Sequence, residues 1–469
     1  MPAPGTATFG EQHFGAAQLG DRRRTRRLVA LADRFLAHPR GWLPQKCGDP
    51  AVYQALLGLL DAPTVTHHSV LQPHRERTLR RLADHPGQTI LLPGDITELD
   101  FTSRTSLRGQ LGRLGDGRGY GYECFNLLAV RYPSRQLLGL ANQVLFTRRR
   151  AGRREAKEDS RRHLRRQSRL WVRCHEGLPP APAGQRRVYL FDREGDTTEA
   201  LERFQRDGKE YVVRSHADRR VLAGHEADGP ILKLHGHLRG LAPQAWRAVA
   251  VAARQGQAAR TAACALSWAA VRVLPPRQPR GEHGRAPLAV WALRLWEPQA
   301  PAGAKPLEWL LLTNAAVAAA GDAQERAAWY ETRRVAEEYH KAQKTGCDIE
   351  RPQLGRAERL EPLLALLSVV AVALLGLRDA SRDPAQAARP ASERFAAAYV
   401  EVLSGWRYRQ ARPEMTVGEF FQALARLGGH QGRKGDGPPG WLVLWRGWLQ
   451  LQAMVQGVLS HRLGTCDQS

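Results

Sequence analysis

Apolar residues follow three successive patterns along this chain. In the first 75 residues they recur at helical spacing. Leu28, Leu31 and Phe35 share one stripe and a second cluster runs through 51–61, so helices are expected near 22–37 and 51–61. From about 85 to 215 the pattern shortens to strand-like runs. Thr89 to Asp95 reads as a buried strand broken by Pro93 and Gly94. Phe125–Tyr132 and Gln136–Phe146 read as a hairpin about Pro133-Ser134. An arginine-rich helix is expected from Arg154 to Cys174, then a strand over 187–192 closing at Asp192, a helix near 197–206 and a strand from Glu210 to Ser215. The runs Ala245–Ala253, Arg260–Val273 and Ala289–Trp296, separated by loops at 275–287 and 298–306, read as an inserted β-domain. Helical spacing returns after Gly346. A core helix is expected at Leu360–Leu377, a linker at 379–391, and helices near 392–404, 417–427 and 440–460. In the last of these, Trp441, Trp445 and Trp448 form one stripe of the kind that packs a core or pairs helices.

Composition narrows the partner. Seventy Lys plus Arg against 46 Asp plus Glu give a net charge of +24, so the chain is drawn to polyanions. A membrane is the alternative polyanionic surface. The longest apolar stretch, Leu363 to Leu377, falls short of the roughly 20 residues that cross a bilayer, and no signal-peptide pattern opens the chain, so no membrane partner is expected. The hydrophobic fraction of 43 % is ample for packed cores, and the length suggests three domains. Six cysteines without close spacing point to reduced thiols and a cytoplasmic protein rather than to a zinc module or a disulfide framework.

Candidate chemistry begins with the helix-length run 329–347. At about 100° per residue it would place Tyr330, Arg333, Glu337 and Lys344 on one stripe, an acid bracketed by cations. A carboxylate so placed can hold a metal ion while its neighbours clamp phosphate oxygens. A solvated face laced with ion pairs is the ordinary alternative. Asp95 and Asp192, each at the end of an expected strand, can meet over one metal site, although Asp in such places also starts turns and caps helices, as Asp196 or Thr197 could do further on. Near the N-terminus Asp21 reads as a helix cap followed by Arg22, Arg23, Arg24, Arg26 and Arg27, a density that favours DNA phosphates over mere solubility. Trp309, in an apolar run, would ordinarily be core packing.

These residues carry a resemblance. Tyr330-x2-Arg333-x3-Glu337-x6-Lys344 resembles the Tyr-Arg-Glu-Lys signature of the insertion-sequence-four transposase family, and Asp192-Arg193-Glu194-Gly195-Asp196 resembles its Asp-Arg-Glu-x-Asp block. Gly94-Asp95-Ile96-Thr97 sits where that family places its first catalytic aspartate. Collinear likenesses extend over almost the whole chain, at Leu19–Leu28, Tyr211–Ser215, Glu308–Thr313, Leu427–Gly429 and Trp441–Trp448.

The resemblance implies an α/β fold with a ribonuclease H-like catalytic core. The core would carry the inserted β-domain and be flanked by an N-terminal helical DNA-binding domain and a C-terminal helical domain. The expected boundaries are 1–75 for end binding, 76–375 for catalysis with the insertion at about 216–312, and 376–469 for subunit contact. It implies that Asp95, Asp192 and Glu337 hold two magnesium ions, with manganese as a substitute. Arg23, Arg24, Arg27, Arg214, Tyr330, Arg333 and Lys344 would contact DNA, and Trp309 would stack on a base flipped from the DNA end. The implied activity is cut-and-paste transposition by phosphodiester hydrolysis through a hairpin intermediate. It would act as a homodimer on double-stranded transposon ends and target DNA, in the bacterial cytoplasm at the nucleoid. A nuclease of the same fold without strand transfer, or an inactive or regulatory DNA-binding relative, are the competing expectations.

Overall fold

The computed structural model describes residues 7–115, 117–148, 168–226, 229–251, 259–277, 286–433 and 436–466. Helices α1 (Phe9–Phe14), α2 (Arg22–Ala37), α3 (Leu43–Cys47), α4 (Pro50–Leu60) and α5 (His67–Ala83) come first. Strands β1 (Thr89–Asp100), β2 (Gly112–Arg113), β3 (Tyr120–Arg131) and β4 (Gln136–Phe146) follow, then α6 (Ser168–Arg173), β5 (Arg186–Phe191), α7 (Thr198–Arg206) and β6 (Glu210–Arg214). Next come β7 (Arg220–Ala223), β8 (Ile231–Lys233), α8 (Leu234–Gly240), β9 (Ala245–Val251), β10 (Arg260–Val273), β11 (Leu288–Trp296) and β12 (Glu308–Thr313). Helices α9 (Ala320–Glu331), α10 (Arg334–Lys341), α11 (Ala357–Ser381), α12 (Pro384–Ala387), α13 (Ala397–Tyr408), α14 (Val417–Leu427) and α15 (Trp441–Cys466) close the chain. Of the helix expected from Arg154 to Cys174, only α6 falls among the described residues, and the stretch 149–167 lies outside them.

Two compact units result, each discontinuous in sequence. The first combines residues up to 78, 101–110 and 338 onward, and the second combines 79–100 with 111–337. The stretches that the resemblance implied, 1–75, 76–375 and 376–469, are contiguous in sequence, whereas these units are not. Helix α11 falls with the N- and C-terminal helices of the first unit rather than with the sheet.

The first unit is helical. Its centre is α11, whose Leu363, Leu364, Leu367, Val370 and Leu374 are completely buried, and which packs on α2, α4, α14 and α15. At 25 residues α11 is longer than the apolar stretch suggested. By length and composition it could cross a membrane, yet 72 % of its most apolar window is buried within the protein, as expected of a core helix. Truncating one such leucine to alanine should cost about 2–5 kcal/mol. The tryptophan stripe of α15 is a packing seam. Trp441 and Trp445 are buried, and Trp448 stacks on Tyr399 of α13 with ring centres 5.2 Å apart. Close approach of α14 and α15 depends on Gly447, where a Cβ would lie 2.0 Å from the Leu424 carbonyl oxygen.

The second unit is built on one mixed sheet of twelve strands in the order β2-β3-β1-β5-β6-β12-β11-β10-β7-β8, with β4 on β3 and β9 on β10. The β1-β5-β6 centre is parallel, while β3 and β12 run antiparallel to the strands they flank. The expected insertion is therefore no separate layer. Pairing of β12 with β6 makes β7–β12 a continuation of the same sheet. Nor does β1 stop at Pro93-Gly94. The β3 register skips Leu92 and Pro93 and resumes at Gly94, so the missing proline N–H falls where no β3 partner is paired. Gly94 is required there, because a Cβ would come within 2.9 Å of both Phe125 and Phe191. Those rings pack edge-on against Trp171 of α6, at 5.2 and 5.1 Å, which anchors the strand that ends at Asp192.

Candidate nucleic-acid interface and acidic site

The N-terminal arginines stand on a helix that is fixed from below. Leu28, Leu31, Ala32 and Phe35 bury one face of α2, and Asp21 caps its start by accepting from the Arg23 N–H at 2.8 Å. That hydrogen bond, with the neighbouring guanidinium groups, holds the Asp21 carboxyl below its ordinary range. Arg22, Arg23, Arg26 and Arg27 are exposed. Arg24 is not free in the same way, because its guanidinium donates to the Leu19 carbonyl and to Thr64 Oγ1, both at 3.1 Å, and so pins the helix start to the loop before α5. Replacing Arg23, Arg24 and Arg27 together should weaken DNA binding and flatten its salt dependence by about 0.9 log-log units for each phosphate no longer neutralised. The Arg23/Arg27 pair should account for most of the flattening, with Arg24 adding a fall in melting temperature. An unchanged slope in the triple variant would make this a merely solvated face.

In the second unit, β1 and β5 are parallel neighbours with Pro93 opposite Leu190. That pairing ends two residues short of Asp95 and Asp192, and the two acids are close enough for the Asp192 charge to act on Asp95. Asp192 ends β5 and turns the chain, accepting from the Glu194 N–H at 2.9 Å, so the modest role of a turn starter is also present. Asp95 Oδ1 accepts from the Ile96 N–H at 3.0 Å, and Oδ2 accepts from Arg333 Nη1 at 2.8 Å. Burial pushes the Asp95 carboxyl up to about 7, against the pull of Arg333, and the nearby Asp192 charge adds to the rise.

The run 329–347 is not one helix. Helix α9 ends at Glu331, Thr332 and Arg333 form a turn, α10 begins at Arg334, and Ala342–Gly346 is a π-type turn. The turn interrupts the expected single helix between Tyr330 and Glu337, while Arg333 still interacts with both. Arg333 donates to Asp95 Oδ2 from Nη1 and, at the helical i,i+4 spacing, to Glu337 Oε1 from Nη2 at 2.5 Å. Burial opposes the Arg333 charge, but Asp95, Tyr330 and Glu337 together raise its pKa above the ordinary value. Glu337 keeps 60 % of its side chain exposed. Lys344 belongs to the first unit, where it pairs with Glu350 at 3.1 Å.

Tyr330 is buried. Burial raises its hydroxyl's pKa, while Arg333 and Arg214 counter that rise. Its ring meets Trp309 edge-on, with centres 5.3 Å apart, and Trp309 is only half-buried. Arg214 donates to the Glu308 carbonyl at 3.0 Å. Asp95, Asp192, Arg214, Trp309, Tyr330, Arg333 and Glu337 thus all belong to one unit, and hydrogen bonds join Asp95, Arg333 and Glu337. Among the described residues no three Asp, Glu, His or Cys side chains converge tightly enough to hold a metal ion.

Of the other acids nearby, Glu98 and Glu123 escaped the sequence reading. Glu98 of β1 lies directly opposite Glu123 of β3. Glu123 is completely buried, pairs with Arg148, and is pushed by burial to about 7. Glu194 is raised first by burial and then by Asp192. The available signal was an acid at an inward position of an otherwise apolar strand. Asp196, which the sequence left as a possible cap, is wholly buried and accepts from the N–H groups of His216 and Ala217 at 2.6 and 3.1 Å and from Arg219, while Thr197 caps α7. Five cysteines among the described residues are free and buried.

Residues 6–65 match the family described as transposase DNA-binding. That span contains α1 to α4 and every arginine of α2. The match makes DNA the partner of this helical region and points to a DNA-processing protein of the transposase class.

Proposed function

We propose that this chain is a cut-and-paste DNA transposase of the insertion-sequence-four type, with its second unit a ribonuclease H-like nuclease core. The observation that carries the reading is the hydrogen-bonded chain Asp95–Arg333–Glu337, with the Asp192 charge felt at Asp95, in a protein that carries a transposase DNA-binding region. The acids offer oxygen donors only, which suits magnesium, and the Asp95 carboxyl, raised by burial and further by Asp192, is one that a cation would stabilise. Asp95 and Asp192 would hold the metal and Glu337 would complete the set on exchanging Arg333 for it. When bound, two such ions supply an activated water and a stabilised leaving oxygen for in-line displacement at phosphorus.

The chain's own groups do the rest. Arg333, freed from the carboxylates, and Arg214 present planar guanidinium forks to phosphate oxygens, Tyr330 donates its hydroxyl, and Lys344 offers the DNA a point charge. The half-buried Trp309 ring offers an edge of the acidic site to an unstacked base. The 3′-hydroxyl released by the first hydrolysis would attack the opposite strand to give a hairpin. After the hairpin is opened, the same 3′ end would attack target DNA. A homodimer on paired ends, acting at the bacterial nucleoid, completes the proposal.

Incubating the full chain with magnesium and linear DNA carrying candidate inverted repeats tests this reading. Hairpin and joined products are expected. Nicks alone would indicate a nuclease without strand transfer, and a gel shift without any cut would leave only a DNA-binding protein.

A further inference from the structure

Beside the acids, on the side of Arg193, the second unit holds a pocket of about 210 Å³ of whose lining the proposed cutting chemistry uses Arg214 alone. Its walls come from four places in the sequence. Arg193 follows Asp192, Arg214 to His216 leave β6, His235 and Arg239 stand on α8, and Glu308 opens β12. Three guanidinium groups therefore face a cavity with one lining carboxylate. That carboxylate is already shared, since Glu308 accepts from Arg239 at 2.7 Å and from Arg294 at 3.0 Å. Among the described residues, the Arg193 side chain has neither hydrogen bond nor ion pair, and Arg214 reaches a carbonyl and a phenol but no carboxylate. Burial lowers the Arg214 pKa, and the Arg193 charge contributes to that fall.

The pocket is also rigid. Asp196 fastens the wall at His216 and Ala217, and its own N–H bonds the Arg193 carbonyl, so one buried residue positions both the Asp192 turn and the loop after β6. Ser215 Oγ lies 3.0 Å from His235 Nε2, which ties α8 to the same wall, and Asp218 accepts the His235 N–H at 2.8 Å. Arg193 and Arg239 are exposed and Arg214 is half-buried, so the excess of guanidinium charge stands open to an entering anion, with which it can form charge-assisted hydrogen bonds.

We infer that this pocket is a phosphodiester-binding subsite, which takes a backbone phosphate of the DNA strand passing the acidic site, one other than the phosphate being cut. The inference rests on the nuclease reading for its choice of DNA, and on the pocket itself for its choice of phosphate. Arg214 joins the two places, since it hydrogen-bonds Tyr330 on one side and lines the pocket on the other.

The test uses the full-length protein and an Arg193→Gln/Arg239→Gln variant, in which Glu308 keeps its Arg294 partner. Melting is followed with and without inorganic pyrophosphate, and DNA binding is followed against salt. Pyrophosphate should raise the melting temperature of the wild type and of an Arg23→Gln/Arg27→Gln variant but not that of the pocket variant. The DNA salt slope of the pocket variant should be shallower by about 0.9 for each phosphate that the pocket no longer neutralises. Equal pyrophosphate shifts in wild type and pocket variant would overturn the subsite. Loss of the pyrophosphate shift with an unchanged DNA slope would overturn its assignment to backbone phosphate and leave a site for free anions. Should the double variant melt early even without ligand, Arg193→Gln alone, at an exposed side chain, repeats both measurements. A wild type that shows the pyrophosphate effect yet never cuts DNA would sink the nuclease reading and not the pocket.

Discussion

Alanine at Asp95, Asp192 or Glu337 should abolish DNA cleavage, with a fall of about a thousandfold or more, while binding to DNA ends through the N-terminal helices persists. The scale is the upper end of what one preorganised electrostatic group contributes in an enzyme. The three variants should separate in stability. Glu337 is largely exposed, so its loss should leave the melting temperature near that of the wild type. Asp95→Ala leaves the half-buried Arg333 without one of its two carboxylate partners and should melt earlier. Rates of strand cutting with magnesium, measured beside gel shifts and melting curves, decide the matter. Full cutting activity in any one variant would remove that residue from the metal site.

Truncating Trp309 to alanine should slow hairpin formation much more than the first nick. Extruding a base costs a few kcal/mol, and stacking on an aromatic ring returns about 1–3 kcal/mol of it, whereas initial hydrolysis needs no extruded base. The competing outcome is a packing residue, for which a buried tryptophan would cost about 3–5 kcal/mol of stability and depress both steps alike. Half-burial of Trp309, with its ring edge-on to Tyr330, favours the first outcome. Nick and hairpin rates measured beside the melting temperature separate the two. Equal slowing with a large drop in melting temperature would end the stacking role.

Local pattern carried much of the architecture. Asp21 before an arginine run and an apolar stripe specified both α2 and its cap, because capping and 3.6-residue periodicity act within a few residues. The strand closing at Asp192, the hairpin about Pro133-Ser134, the Thr197-started helix and the tryptophan seam of α15 were legible for the same reason.

Pairing between distant segments was not legible. Nothing local in Thr89–Asp100 announces that β1 passes through Pro93, since that depends on where β3 leaves its ladder open and on the room that Gly94 leaves between two phenylalanine rings. Sequence periodicity likewise cannot tell an insertion from an extension of the sheet. The difference lies in β12 pairing with β6, where Leu312 partners Val213 from far along the chain. The acidic site shows the same division. Residue types at 95, 192, 330, 333 and 337 were set by the sequence and drew attention through their chemistry. Tertiary structure decided that β1 and β5 run side by side, and that Arg333 reaches Asp95 from far along the chain. It also buried Glu123 and Asp196, acids whose neighbours in sequence give no sign of the apolar surroundings and long-range hydrogen bonds that define their roles.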